Sequence, residues 1–217
     1  MQEWIDLLMV LVAVTNLAIL GVSRLRTCIR LSAIQGALLG CLPLMVGPLE
    51  SWGPILLALV TIAMKGWTLP WLLERSLVEA HVQREVQPFV GYNASILIGV
   101  IAIAASFWLN SRLPLPFTPA GTLMIPSAFF GVLTGLFILV ARRIALNQVI
   151  GYLVLENGIY AFGLVLMPHQ TLLVELGILL DLFVGVFVMG IAIFQINREF
   201  DHIDADRMTG LRDWSDE

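Results

Sequence analysis

Ala145 to Met167 reads ALNQVIGYLVLENGIYAFGLVLM, a mostly apolar run with one carboxylate, Glu156, almost at its centre. About twenty such residues cross a bilayer as a helix. Arg142 and Arg143 stand just before the run and Pro168 just after it. An ionisable side chain at mid-membrane depth costs roughly 2.5–3.5 kcal/mol on insertion scales. It therefore faces a protein interior or a wet path, which marks Glu156 as a candidate functional residue. Tyr152 and Tyr160, four residues before and after it, share its helix face and offer hydroxyls, and Asn157 adds a neighbouring amide.

The whole chain has the same character. Of its 217 residues, 59% are hydrophobic and 13% charged, where a soluble domain carries about 25% charged residues. This is the composition of an all-α integral membrane protein. No basic patch points to nucleic acid. The two cysteines, Cys28 and Cys41, form no CxxC pair, so neither a disulfide framework nor a metal site is indicated. The N-terminus carries Glu3 and Asp6 and lacks a basic stretch, so the first apolar run is expected to be a retained helix rather than a signal peptide.

Seven membrane spans are expected: Trp4 to Gly21, Ile29 to Val46, Trp52 to Leu73, Ala94 to Asn110, Thr122 to Ala141, Ala145 to Met167 and Thr171 to Ile196. Pro43 is expected to tilt or kink span two. Ten of the twelve Lys and Arg residues fall on one side of these spans, including Arg24, Arg26, Arg30, Arg75, Arg142 and Arg143. By the positive-inside rule the N-terminus is outside and the C-terminus cytoplasmic. Ser76 to Tyr92 is either a short interfacial helix or a solvated connector. Ser111 to Gly121 is Pro-rich and reads as a stiff outer turn. The acidic tail from Asn197 includes DHIDADR, which lacks the Gly and distal Glu of a calcium loop and suits a docking strip better. His81, His169 and His202 read as solvated loop or tail residues.

Other spans carry polar groups too. Asp181 lies about ten residues in from the outer end of span seven and Glu156 about eleven from that of span six, which at about 1.5 Å per residue sets them at nearly one depth. Gly177 and Gly185 flank Asp181 at four-residue spacing, leaving room for a close helix, and Glu175 lies on another face nearer the outer surface. Span three carries Lys65 between Thr61 and Thr68, with Pro70 following and able to loosen the helix. Two readings stand. Glu156, Asp181 and Lys65 form a hydrated relay for protons, or they are buried ion pairs that fix helix packing.

A thin internal repeat runs from spans one to three into spans five to seven. Val22 to Arg24 echoes Val140 to Arg142, and Gly40 echoes Gly158 at the same offset. Gln35 and Lys65 then stand broadly where Glu156 and Asp181 stand. The chain divides accordingly into a three-helix unit with its cytoplasmic loop (1–92), a linking helix and outer loop (93–121), a second three-helix unit (122–196) and the tail (197–217).

The stretches RRIALNQVIGYLVLENGIYAFGL (142–164), LLDLFVGVFVMGIAIFQI (179–196) and INREFDHIDADRM (196–208) resemble component E of the hydrogenase-4 and formate hydrogenlyase group. Spans five to seven also resemble subunit K of respiratory complex I and its small counterpart in the Mrp antiporters. In subunit K two membrane glutamates lie on the second and third helices. The first falls on Glu156 and the second on Asp181, a shorter acid. The resemblance implies a subunit in the membrane arm of an energy-converting complex of a bacterial inner membrane. Its neighbours would be an antiporter-like subunit and a subunit touching the peripheral arm. It implies charged residues that couple electron transfer to proton or sodium movement, and no cofactor held by this chain. With two cysteines, the chain has no set of thiolates for iron–sulfur clusters or nickel.

Overall fold

The computed structural model describes residues 2–46, 52–79, 88–113 and 121–166, together with Gly177 and Gly185. Its elements are helices: α1 (Gln2–Gly21), α2 (Leu25–Val46), α3 (Trp52–Thr61), a π-helical segment (Ile62–Thr68), α4 (Leu69–Glu79), α5 (Tyr92–Arg112), α6 (Met124–Ala141) and α7 (Ala145–Leu166). The α3, π and α4 segments follow one another without a break. Six helical stretches among the described residues are long and apolar enough to cross a membrane. That is the profile of a multi-pass membrane protein.

Spans one to six of the sequence reading each find their helix. Two differ in extent. Helix α2 starts at Leu25, four residues before the expected Ile29, and so takes in Arg26. The third stretch continues past Leu73 to Glu79, so Ser76 to Glu79, the start of the segment left open between helix and connector, is helix. Hydropathy alone ended both spans at their charged residues, but a helix keeps its backbone bonds whatever its side chains, and long cationic side chains reach the interface from a helix end. The expected seventh span, with Glu175 and Asp181, lies outside the described residues except for the helical Gly177 and Gly185. The tail and most of the outer turn lie outside them as well.

The π segment has a local cause. Pro70 has no N–H, so the carbonyl of Gly66 cannot receive the usual helical bond. The chain upstream widens by one residue per turn. The N–H of Leu69 bonds the carbonyl of Met64, five residues back, and the Thr68 hydroxyl donates to Ala63 O at 2.9 Å. Such segments recur at functional sites, and this one carries Lys65.

Helices α6 and α7 form the tightest pair. A Cβ on Gly135 would overlap the backbone of Gly151 and Leu155, and one on Gly158 would meet Ala128 O at 2.7 Å. Gly131 and Gly135 make a GxxxG face, which lets two helix backbones touch where lipid offers no hydrophobic drive.

The α1–α2 and α6–α7 corners are built alike. The N–H groups of Thr27 and Cys28 both donate to Arg24 O, at 3.0 and 3.1 Å, and those of Asn147 and Gln148 both donate to Ile144 O, at 2.9 and 3.1 Å. Cys28 Sγ reaches Val22 O at 3.6 Å and Gln148 Nε2 reaches Arg142 O at 3.2 Å. Helices α2 and α7 have 22 residues each and start 120 positions apart, at Leu25 and Ala145. The echoes Val22–Arg24 with Val140–Arg142 and Gly40 with Gly158 are therefore two residues out of the structural register. In the structural register Glu156 stands opposite Gly36, one residue from Gln35. Short apolar strings match by chance, whereas corner hydrogen bonds fix the register.

Two apolar clusters fill the bundle. One gathers near the corners, from Ile19, Leu25, Leu73 and Ile150. The other lies toward the opposite end, from Met9, Leu42, Ile125 and Leu164. Between them in sequence on α1, α2 and α7 sit buried polar residues.

Candidate functional site

Those polar residues meet. Lys65 Nζ donates to Glu156 Oε1 at 2.7 Å and to Asn157 Oδ1 at 3.2 Å. Lys65 is 7% exposed and Glu156 3%. Nζ also lies 5.1 Å from the centroid of the Tyr160 ring, within cation–π range. The Tyr160 hydroxyl is 3.4 Å from Thr61 Oγ1. The π segment and α7 thus bring a cation and an anion together from positions 91 apart in the chain.

Close backbone packing delivers Lys65 to this place. Gly36 on α2 faces Lys65 so nearly that a Cβ there would stand 2.6 Å from Lys65 Cβ and 2.9 Å from Lys65 O. Gly40, one turn on, likewise faces Ile62. The α2 glycines set the height of the lysine, and α7 supplies its counter-charge.

The polar contacts continue away from the pair. Asn157 Nδ2 donates to Gln35 Oε1 at 3.1 Å, and Gln35 Nε2 donates to Asn16 Oδ1 at 2.7 Å. Gln35 and Asn16 have no exposed surface. Five side chains from four helical segments therefore form one connected row: Asn16, Gln35, Asn157, Lys65, Glu156. At its two ends Glu156 Oε2 and Asn16 Nδ2 are buried with no hydrogen-bond partner among the described residues. Buried polar atoms of this kind are rare and signal strain, chemistry, or a small guest such as water.

Charge separation at 2.7 Å in an apolar setting has two sides. Each ion alone would lose several kcal/mol of hydration, and the attraction between them offsets that loss only when their geometry is good and their remaining hydrogen bonds are met. Here the lysine has two oxygen acceptors, and the carboxylate has one oxygen bound and one without a partner among the described residues.

Of the residues singled out from sequence, Lys65, Glu156, Asn157, Gln35 and Tyr160 come together. Tyr152 is partly buried and packs with the corner cluster, a separate apolar group from that of Tyr160. Asp181 and Glu175 lie outside the described residues. Asn16 was missed, although an amide inside VAVTNLAIL carries the same signal as Glu156 in its own run. Arg142 is a second surprise. The sequence places it among the cations between spans five and six, yet it is 3% exposed. Its Nη2 donates to Leu20 O at the end of α1, 2.9 Å away, and its guanidinium lies 4.4 Å from the Tyr92 ring centroid at the start of α5.

Comparison with known proteins gives two kinds of relative. The chain is 29% identical over 119 residues to hydrogenase-4 component E of Escherichia coli K12 and, at the same identity, of Shigella flexneri. That match covers 54% of this chain and 54% of each relative, so it spans about half their length. No family model and no solved structure matches the chain. Over 192 residues it is 35% identical to uncharacterized protein Rv0085 of Mycobacterium tuberculosis, a match covering 87% of both chains. The chain therefore belongs to the family of that mycobacterial protein.

Proposed function

We propose that this chain is a membrane-arm subunit of a hydrogenase-4-like, complex I-related oxidoreductase, and that Lys65 and Glu156 take part in moving protons or sodium ions during electron transfer. The single observation behind the ionic role is the buried contact of Lys65 with Glu156 at 2.7 Å, with the second carboxylate oxygen unpartnered among the described residues. The partial likeness to hydrogenase-4 component E supports the setting. Asp181 joins Lys65 and Glu156 in the proposed relay, and Glu175 is a supporting polar group. In this reading the N-terminus is outside, the tail cytoplasmic and the membrane the bacterial inner membrane. Residues 1–92 and 122–196 act as two three-helix units joined by 93–121. The neighbours are an antiporter-like subunit and a subunit next to the peripheral arm.

The chemistry follows from charge balance. A carboxylate beside an ammonium stays ionised; when the ammonium withdraws or a second negative charge nears, the carboxylate takes a proton. Oε2, without a partner among the described residues, is the atom for that exchange. The test is Glu156→Gln in the assembled complex, with ion uptake into inverted membrane vesicles set against electron transfer. The expected result is a complex of normal composition whose ion uptake falls at least about tenfold, the scale of losing one proton-transfer group. Normal uptake overturns the ionic role.

A second reading rests on the lysine's own surroundings. Lys65 is met by Glu156, Asn157 and the Tyr160 ring together, which suits a fixed tie between helices. The chain is then a bridging subunit with no ion path. It predicts that charge-removing variants fail to enter the complex, which native gel electrophoresis separates from assembly without coupling.

A further inference from the structure

The row of amides beside the ion pair has a direction. An ammonium has three donors and no acceptor. Asn157 must therefore present its oxygen to Lys65, and does so at 3.2 Å. That leaves its NH2 for Gln35 Oε1. Gln35 turns its NH2 to Asn16, whose oxygen accepts at 2.7 Å. The three amides donate in one direction, and Asn16 Nδ2 is left as the terminal donor, without a partner among the described residues. All three amides point their oxygens toward the lysine side. Aligned hydrogen bonds polarise one another in a medium of low dielectric, so Asn157 Oδ1 is a stronger acceptor than an isolated amide.

We propose that Asn16, Gln35 and Asn157 form a neutral amide ladder that holds the Lys65 ammonium in place, and that Asn16 and Gln35 are positioning residues for the pair although neither touches it. The ladder gives Lys65 a second, uncharged oxygen that does not change when Glu156 gains or loses a proton. The lysine thus stays poised at the carboxylate through the exchange and keeps it ionised at rest. This rests on the reading of Lys65 and Glu156 as an exchanging pair, and it adds two residues on α1 and α2 to the machinery.

The test uses the full chain in native membranes and dicyclohexylcarbodiimide, which modifies a carboxyl group in an apolar setting only when it is protonated. Modification at Glu156 is read by mass spectrometry, with Asp6 at the far end of α1 as the internal reference. Lys65→Met removes the counter-ion and sets the upper limit of labelling. Asn16→Ala and Gln35→Met each break the ladder two or more side chains away from Glu156. Losing a hydrogen bond to a charged group corresponds to about a tenfold change, and a loss passed on through an intermediate amide is expected to be smaller. We expect Glu156 labelling to rise about threefold in both ladder variants, with Asp6 unchanged. Labelling at the wild-type level in both, beside a large rise in Lys65→Met, overturns the ladder and leaves the pair standing. An equal rise at Asp6 also overturns it, as mere loosening. No rise even in Lys65→Met removes the pair, and both readings fall. If Asn16→Ala does not accumulate in the membrane, Gln35→Met decides alone, because it nearly preserves side-chain volume.

Discussion

Gly36 faces Lys65 across the α2 crossing, and a single methyl group on that glycine would stand 2.6 Å from Lys65 Cβ. The site is held from behind by two backbones in direct contact, with no room for a side chain between them. Gly36→Ala removes no polar atom, yet it must push the π segment away from α2. We expect a stability loss of about 1–3 kcal/mol, the usual cost of overpacking. Thermal unfolding of the detergent-solubilised protein measures it. An unchanged melting temperature would mean that the π segment moves freely against α2.

The two charges should be coupled. Removing one partner of a buried pair costs about 3–5 kcal/mol, because the other is left bare, whereas an apolar replacement of both can be nearly neutral. Lys65→Met and Glu156→Leu are each expected to destabilise strongly, and the double variant to be more stable than either single one. Unfolding in denaturing detergent mixtures gives all four corners of the cycle. Additive effects would show that the 2.7 Å contact carries no net interaction.

Arg142 ties three helices at one point, through Leu20 O on α1 and the Tyr92 ring on α5, from the α6–α7 corner. A lysine cannot lay a flat cation on the ring and bond the carbonyl in the same pose. Arg142→Lys should therefore lose most of what Arg142→Ala loses, about 2 kcal/mol or more for a buried charged hydrogen bond. Protease sensitivity of the α6–α7 corner would rise in both variants. Full rescue by lysine would show that charge alone matters there.

Asp6 on α1 caps a different helix. Its carboxylate accepts the Thr122 hydroxyl and the Leu123 N–H, each at 2.9 Å, where α6 begins. Asp6→Ala is expected to cost about 1 kcal/mol, typical of a lost N-cap, and Asp6→Asn, which keeps an oxygen acceptor, less. Hydrogen exchange at the first turn of α6 would speed up in the alanine variant and only slightly in the asparagine one.

Much of the helical layout was legible because each span is a long apolar run, and a backbone in lipid must satisfy its own hydrogen bonds. Glu156 and Lys65 stood out for the same reason: charge is conspicuous in such runs. Their partnership was less visible. It depends on the crossing of α2 with a π-helical turn, and Pro70 hinted at a loosened helix without fixing its register. Gln35 was noticed through a repeat whose sequence echoes were two residues out of register with the corners. Asn16 carried the same signal as Glu156 but no charge, so it passed as one polar residue among apolar ones. Burial of Arg142 could not be read at all, since a corner arginine looks solvated until another helix end arrives over it.

The separation of Lys65 from Glu156 along the chain also has a bearing on biogenesis. The ribosome releases the lysine's helix well before α7 exists, so for part of synthesis the ammonium has no anion to meet. A cation stranded in hydrocarbon is unwelcome, and the early helices cannot settle into their final arrangement until the later carboxylate is delivered. The contact thus acts as a clasp that closes only after α7 arrives. Chains that stall before α7 would remain open and recognisable to membrane quality control.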